Sequence, residues 1–262
     1  MRRHLWASLA VGAVALAGPA QAADLSVAPL YKAPAAPSAY NWNGFYAGLN
    51  AGGAGSTSNW AMTTPGDPIT PFRSGSLRPK DFLGGGQVGF NWQSGSWVWG
   101  IEADADYRNS SDRFSVLLPS APLPDEFRNL EARHGWLGTV RPRLGWAWGN
   151  ALIYGTGGLA IGQVRDNQTL VSALGSQTFS STSTRAGWTA GGGVEFGFAG
   201  NWSAKLEYLH SDLGSTNLLT PNVTGPGIAG FVPSTTTFGN KSDVVRAGIN
   251  YRFGWDGPPV GR

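Results

Sequence analysis

Trp97-Val98-Trp99-Gly100-Ile101-Glu102-Ala103-Asp104-Ala105-Asp106-Tyr107 decides how this chain is read. Its odd positions are apolar and its even positions end in three carboxylates, which is the period of two expected of a strand whose side chains alternate between faces. A soluble sheet would turn the tryptophans inward. A transmembrane barrel inverts that arrangement, with apolar side chains meeting lipid and polar ones filling the interior. The rest of the sequence has to choose between the two geometries.

The start of the chain favours export. Arg2 and Arg3 precede an apolar stretch over residues 5–16, and Ala20-Gln21-Ala22 forms a small-residue processing site, so cleavage is expected between Ala22 and Ala23. After Ala22 no run of 18 apolar residues occurs, so any crossing of a membrane must be made by strands. Cysteine is absent, which removes thiol catalysis and cysteine-held metal sites. The formal charge of +3 includes Arg2 and Arg3; without them 17 basic face 16 acidic residues, and the high pI gives no argument for nucleic acid. Thirty-nine glycines, 12 tryptophans and only 13% charged residues fit a glycine-rich β-architecture with aromatic belts.

Beyond a Pro/Ala-rich lead-in at 23–41, expected in the periplasm, the alternation recurs at 44–53, 81–92, 97–107, 134–146, 151–164, 185–198, 202–211 and 242–253. Only 151–164 is ambiguous, because Ile153, Leu159 and Ile161 compete with Leu152, Tyr154 and Ala160 for the apolar face. Short turns at 93–96, 148–150 and 199–201 alternate with polar, proline-bearing stretches at 54–80, 108–131, 165–184 and 212–241, read as four long external loops. The expectation is an all-β, eight-stranded antiparallel up-and-down transmembrane barrel over 42–253, followed by an extension at 254–262.

Trp92, Trp97, Trp99, Trp146, Trp148 and Trp202 all lie beside short turns and would form an aromatic girdle at the periplasmic interface. Facing lipid with the apolar positions sends Glu102, Asp104, Asp106, Glu195 and Glu207 inside, with Arg133, Arg141, Arg143, Arg185, Lys205, Arg246 and Arg252. Eight strands enclose only enough space for their own side chains, so these charges should pair and plug the interior, Glu102 and Asp104 against Arg141 and Arg143. The alternative is an ion-pair gate in a narrow pore. No catalytic, cofactor or metal site is expected. His210-Ser211-Asp212 holds triad residue types, but neighbours on a strand point to opposite faces. Gly84-Gly85-Gly86 and Gly191-Gly192-Gly193 lack the following helix of a phosphate loop.

Several stretches carry a resemblance: Ala22-Ala23-Asp24-Leu25, Trp42-Asn43-Gly44-Phe45-Tyr46-Ala47-Gly48, Trp99-Gly100-Ile101-Glu102-Ala103-Asp104, Lys205-Leu206-Glu207-Tyr208, and Val245 through Phe253. Together they resemble the small outer-membrane β-barrel family of alpha-proteobacteria that includes Brucella major surface proteins and rhizobial Rop proteins. The resemblance implies a barrel in the cell outer membrane that contributes to envelope integrity or surface contact, with haem or other ligand binding suggested for some members only. The partners so implied are outer-membrane lipid and lipopolysaccharide, periplasmic chaperones, the barrel-assembly machinery and surface ligands at the loops. Family members commonly end at the aromatic of strand eight; here residues 254–262 follow it, so Phe253 is expected to serve as an internal assembly signal.

Overall fold

The computed structural model describes residues 40–65, 72–78, 80–118, 126–172, 175–220, 223–225, 228–231 and 234–254. The signal segment with its Ala22–Ala23 junction, most of the lead-in and residues 255–262 lie outside them. The described residues form eleven strands in chain order: β1 (Gly44–Thr63), β2 (Phe72–Leu77), β3 (Lys80–Ser94), β4 (Trp97–Leu118), β5 (Glu126–Trp148), β6 (Ala151–Ser172), β7 (Gly175–Ala199), β8 (Trp202–Thr220), β9 (Val223–Gly225), β10 (Ile228–Phe231) and β11 (Ser234–Arg252). The main sheet runs β11-β8-β7-β6-β5-β4-β3-β1-β2, every neighbour antiparallel, and β1 pairs again with β11, so the long strands close on themselves. Among the described residues β2 pairs with the far end of β1, and β9 and β10 form a separate hairpin.

The three two-residue turns lie at one end, between β3 and β4, β5 and β6, and β7 and β8. Each contains a glycine in the left-handed region: Gly95 (φ 58°), Gly149 (φ 60°) and Gly200 (φ 54°). Such backbone angles suit a tight hairpin whose twist matches its strands, and glycine adopts them without steric cost.

At the other end the strands run much further than the sequence pattern suggests. Residues 165–172 and 175–184, expected in a loop, are zipped together from Arg165↔Thr182 to Ser172↔Gly175. The stretches beginning at Arg108 and Asp212 likewise remain paired as far as Leu118↔Glu126 and Thr220↔Ser234. Beyond the lipid both faces can be polar, so hydropathic contrast fades while the backbone ladder continues. The long-loop reading is corrected accordingly.

Each strand keeps one face in. On β6 Leu152, Tyr154 and Ala160 are buried while Ile153, Leu159 and Ile161 are exposed, which settles the ambiguous segment. β5 breaks step: its register shifts between His134 and Leu137, both of which are buried although three residues apart. Before this irregularity the alternation inverts, and Arg133, expected inside, stands on the outer face with its side chain 44% exposed. Small residues make room for large interior ones. A Cβ on Gly193 would lie 2.8 Å from the Tyr154 hydroxyl, and one on Gly89 would collide with the Tyr46 ring.

Candidate functional site: the barrel interior and its outer wall

The interior is stacked in layers. Nearest the short turns, Trp42 and Tyr40 fold across the mouth and pack with Val98, Ala147, Leu152 and Tyr154; Trp42 is 2% exposed. Its backbone N–H donates to Gln93 Oε1 (2.8 Å) and that of Tyr40 to Asn150 Oδ1 (3.1 Å), which ties the cap to two of the turns. Further in comes the charged layer. Beyond it, Ala54, Leu83, Leu209 and Val244 form one apolar cluster and Leu137, Ala160, Val164 and Leu213 another.

Five carboxylates and four cations build the charged layer, all at most 7% exposed. Arg141 is its hub, with Nη2 donating to Glu102 Oε1 (2.8 Å) and Asp104 Oδ2 (2.7 Å) and Nη1 to Glu207 Oε1 (3.2 Å). Arg246 spans three acids, reaching Asp106 Oδ2 at 2.6 Å, Asp104 Oδ2 at 2.9 Å and Glu207 Oε2 at 2.7 Å. Lys205 Nζ donates to both oxygens of Glu102 (2.9 and 3.0 Å). Arg143 lies between two rings, 5.6 Å from the Tyr46 centroid and 4.1 Å from that of Tyr154, and donates to Glu195 Oε2 at 2.7 Å. Neutral groups complete the layer: the hydroxyls of Tyr46, Tyr154, Thr139 and Ser203 donate to Glu102, Glu207, Asp104 and Glu195. Asn50, Gln87 and Asn250 form a chain that ends on Glu195.

The structure thus brings together Glu102, Asp104, Asp106, Arg141, Arg143, Glu195, Lys205, Glu207 and Arg246. Arg252 does not join them. It lies at the rim, half-buried, where its guanidinium sits 5.4 Å from the Tyr40 ring and donates to Asn201 Oδ1 (2.9 Å). Sequence reasoning missed Tyr46, Tyr154 and the Trp42 cap. A tyrosine on the polar face of strand one and a tryptophan just before it were the available signals.

The outer wall is apolar over about ten residues per strand. From Trp97 to Tyr107 on β4, Trp136 to Trp146 on β5, Ile153 to Ile161 on β6 and Val245 to Phe253 on β11, the outward positions carry no charge. Ten residues tilted near 45° rise roughly 24 Å, the height of a bilayer's apolar band. Trp92, Trp97, Trp99, Trp146, Trp148 and Trp202 are 44–83% exposed at its short-turn edge, and the rings of Trp97 and Trp146 meet edge-on at 4.9 Å. A second aromatic ring, absent from the sequence reading, marks the other edge with Tyr107, Trp136, Trp188 and Tyr208. Phe253 closes the last rung through its N–H to Phe45 O (2.8 Å).

No arrangement suited to catalysis appears among the described residues. His210 Nδ1 contacts Asp243 Oδ1 at 2.8 Å on the outer face, whereas Ser211 is buried on the opposite side and donates to Thr189. Groups of three or more metal-ligating side chains are likewise absent among the described residues.

The family described as "Outer membrane protein beta-barrel domain" matches residues 8–253. The 31 kDa outer-membrane immunogenic protein of Brucella melitensis is 36% identical over 249 residues, spanning 94% of this chain and 98% of its own. The 22 kDa outer membrane protein of Rhizobium leguminosarum is 37% identical over 130 residues, 49% of this chain and 52% of its own. Among solved structures, OprG of Pseudomonas aeruginosa aligns with a TM-score of 0.49 and 11% identity, covering 81% of this chain and 98% of that one. An all-β antiparallel sheet closed on itself, an apolar outer belt and kinship across nearly the whole chain agree: this chain belongs to the outer membrane β-barrel protein family and resides in the outer membrane.

Proposed function

We propose that this protein is a non-catalytic, non-conducting barrel that supports the cell envelope and presents its long polar hairpins to the surroundings. The observation that carries this reading is the buried charge layer. A pore would solvate its lining charges, whereas here Arg141, Arg143, Lys205 and Arg246 are all engaged by carboxylates and tyrosines beneath an aromatic cap. The short turns with their tryptophans are assigned to the periplasmic side and the extended hairpins to the exterior. Assembly would use periplasmic chaperones and the barrel-assembly machinery, with Phe253 as the recognised aromatic; lipid, lipopolysaccharide and surface ligands at the hairpins complete the partners.

A deletion strain tests the role. It should become sensitive to detergents and large antibiotics, and a version with the hairpins beyond the second aromatic ring shortened should restore resistance. Unchanged sensitivity on deletion would refute an envelope role; rescue only by the full-length hairpins would move the function to surface contact.

A further inference from the structure

Beyond the second aromatic ring two neighbouring strands part company. β7 and β8 are paired from their short turn only as far as Trp188↔Asp212. There β8 turns aside: Gly214 takes a left-handed backbone (φ 74°), its N–H donates to Asp212 Oδ1 (2.8 Å), and the register against β11 shifts between Asp212 and Ser215. A bulge of this kind re-aims the strand that carries it. β8 is drawn across the inner face of β6, where Leu213 packs with Val164 and Thr220 Oγ1 donates to Gln168 Oε1 (3.2 Å).

β7 does not follow. From Ser176 to Gly187 it stays paired to β6 without a break in register, and among the described residues no strand lies along its other side. Burial records the overhang: Val164, Asp166 and Gln168 on β6 are fully buried, while their ladder partners Ser183, Ser181 and Phe179 are only partly covered. Open edges are ordinarily blunted by proline, charge or short length. β2, also paired on one side among the described residues, has six residues and is flanked in sequence by Pro71 and Pro79. Ser176 to Gly187 contains no proline, carries a single charge at Arg185, and is rich in threonine, which suits strands. Every second residue of an antiparallel strand directs its N–H and C=O to the same side, so about five or six residues offer both groups to a newcomer.

The edge also describes its occupant. Ser183 Oγ and Arg185 Nε are shielded from water yet meet no hydrogen-bonding partner among the described residues. The backbone spacing fits an extended polypeptide, and the Arg185 Nε fits an acidic side chain carried on it. Two copies of this chain could join these edges only antiparallel, about an axis perpendicular to the strands. Copies in one membrane point the same way and have only the membrane normal as a shared axis, so the newcomer is a different polypeptide.

We propose that the free edge of β7, from Ser176 to Gly187, binds an extended segment of another polypeptide outside the cell by strand addition, with an acidic residue of that segment beside Arg185. The site rests on the outward orientation of the hairpins proposed above and gives surface contact a defined place and chemistry.

Fluorescence polarisation tests it, with a labelled synthetic peptide of alternating threonine and serine around a central glutamate and the full-length protein in detergent micelles. Saturable binding is expected, with hydrogen exchange slowed at alternate amides of β7 between Ser176 and Gly187. A peptide N-methylated throughout, which cannot donate, should not bind. Replacing the peptide's glutamate by glutamine should weaken binding to wild type about fivefold and leave binding to Arg185→Gln unchanged. Absence of saturable binding, undiminished binding of the N-methylated peptide, or protection elsewhere on the barrel would overturn the proposal. So would exchange at β7 that slows with rising protein concentration in the absence of peptide, which would make a second copy the occupant. If Arg185→Gln does not fold, as heat-dependent gel mobility reports, the peptide changes carry the test on wild type alone. Labelling of Thr182→Cys on intact cells reads the orientation in this cysteine-free chain, so a misplaced edge and an edge that binds nothing give different results.

Discussion

Arg141 on β5 faces Glu102 on β4 across the ladder, 2.8 Å from Nη2 to Oε1, and the same guanidinium also holds Asp104 and Glu207. One cation therefore compensates three buried carboxylates contributed by two separate strands. Burying an ion costs several kcal/mol, and removing one partner leaves that cost uncompensated.

Arg141→Met should accordingly destabilise the folded barrel by about 3–5 kcal/mol. Arg141→Lys, which keeps the charge but loses the planar fork, should cost less. Urea unfolding in detergent, followed by gel mobility or tryptophan fluorescence, gives both values; a methionine variant as stable as wild type would show that the layer contributes no net stability.

The cap can be separated from the charge layer. Trp42→Ala removes a nearly fully buried indole and should cost about 3–5 kcal/mol, yet leave the interior closed because Arg143, Tyr46 and Tyr154 lie behind it. Unfolding in detergent reads the first effect. Conductance at the wild-type baseline in a planar bilayer reads the second, and increased conductance would make the cap the true barrier.

Asp166 supplies the pH dependence. It is fully buried on the part of β6 beyond the second aromatic ring, neither oxygen accepts a hydrogen bond from the described residues, and burial raises its pKa to about 7 against partial relief from Arg185. The folded state therefore holds this proton more tightly than the unfolded state does. The destabilisation begins as pH rises through the unfolded value near 3.8, grows up to about 7, and stays constant above that. At 1.36 kcal/mol per unit, the two units between pH 5 and pH 7 add about 3 kcal/mol. Asp166→Asn should gain about 3 kcal/mol more over wild type at pH 8 than at pH 5. His134, held down to about 4 by burial and by Arg108, titrates in both proteins and cancels from the comparison. A gain independent of pH would contradict the assignment.

The outer belt is tested by a single charge. Val140 is 50% exposed midway between Trp136 and Trp146, and Val140→Arg should cost about 2–4 kcal/mol in lipid. Ser115→Arg, on the exposed part of β4 beyond the second ring, should cost almost nothing. Folding yields of the two variants into liposomes compare them directly; equal yields would place the belt outside the bilayer.

The barrel was legible wherever lipid enforces contrast. Trp97, Trp99 and Ile101 against Glu102 and Asp104 alternate with a period of two, and Glu102, Asp104, Asp106, Arg141, Arg143, Glu195, Lys205, Glu207 and Arg246 fell on the expected face. Two features were hidden for physical reasons. The step at His134–Leu137 changes no residue type in the alternation, so nothing in the pattern warned that Arg133 would turn outward. The hairpins of β6 and β7 continue through Ser, Thr and Gln, where neither face is apolar and strand cannot be told from loop by hydropathy. Arg252 was misplaced for a third reason, since at the end of β11 the rim offers Tyr40 and Asn201 before the interior layer can be reached.

Single-channel recording of the full-length protein in a planar bilayer tests the closed interior most directly. Nine charged side chains locked in one shared network, with an aromatic cap on one side and apolar clusters on the other, should give a silent membrane at moderate voltage. Stable, long-lived openings of porin size would contradict the account.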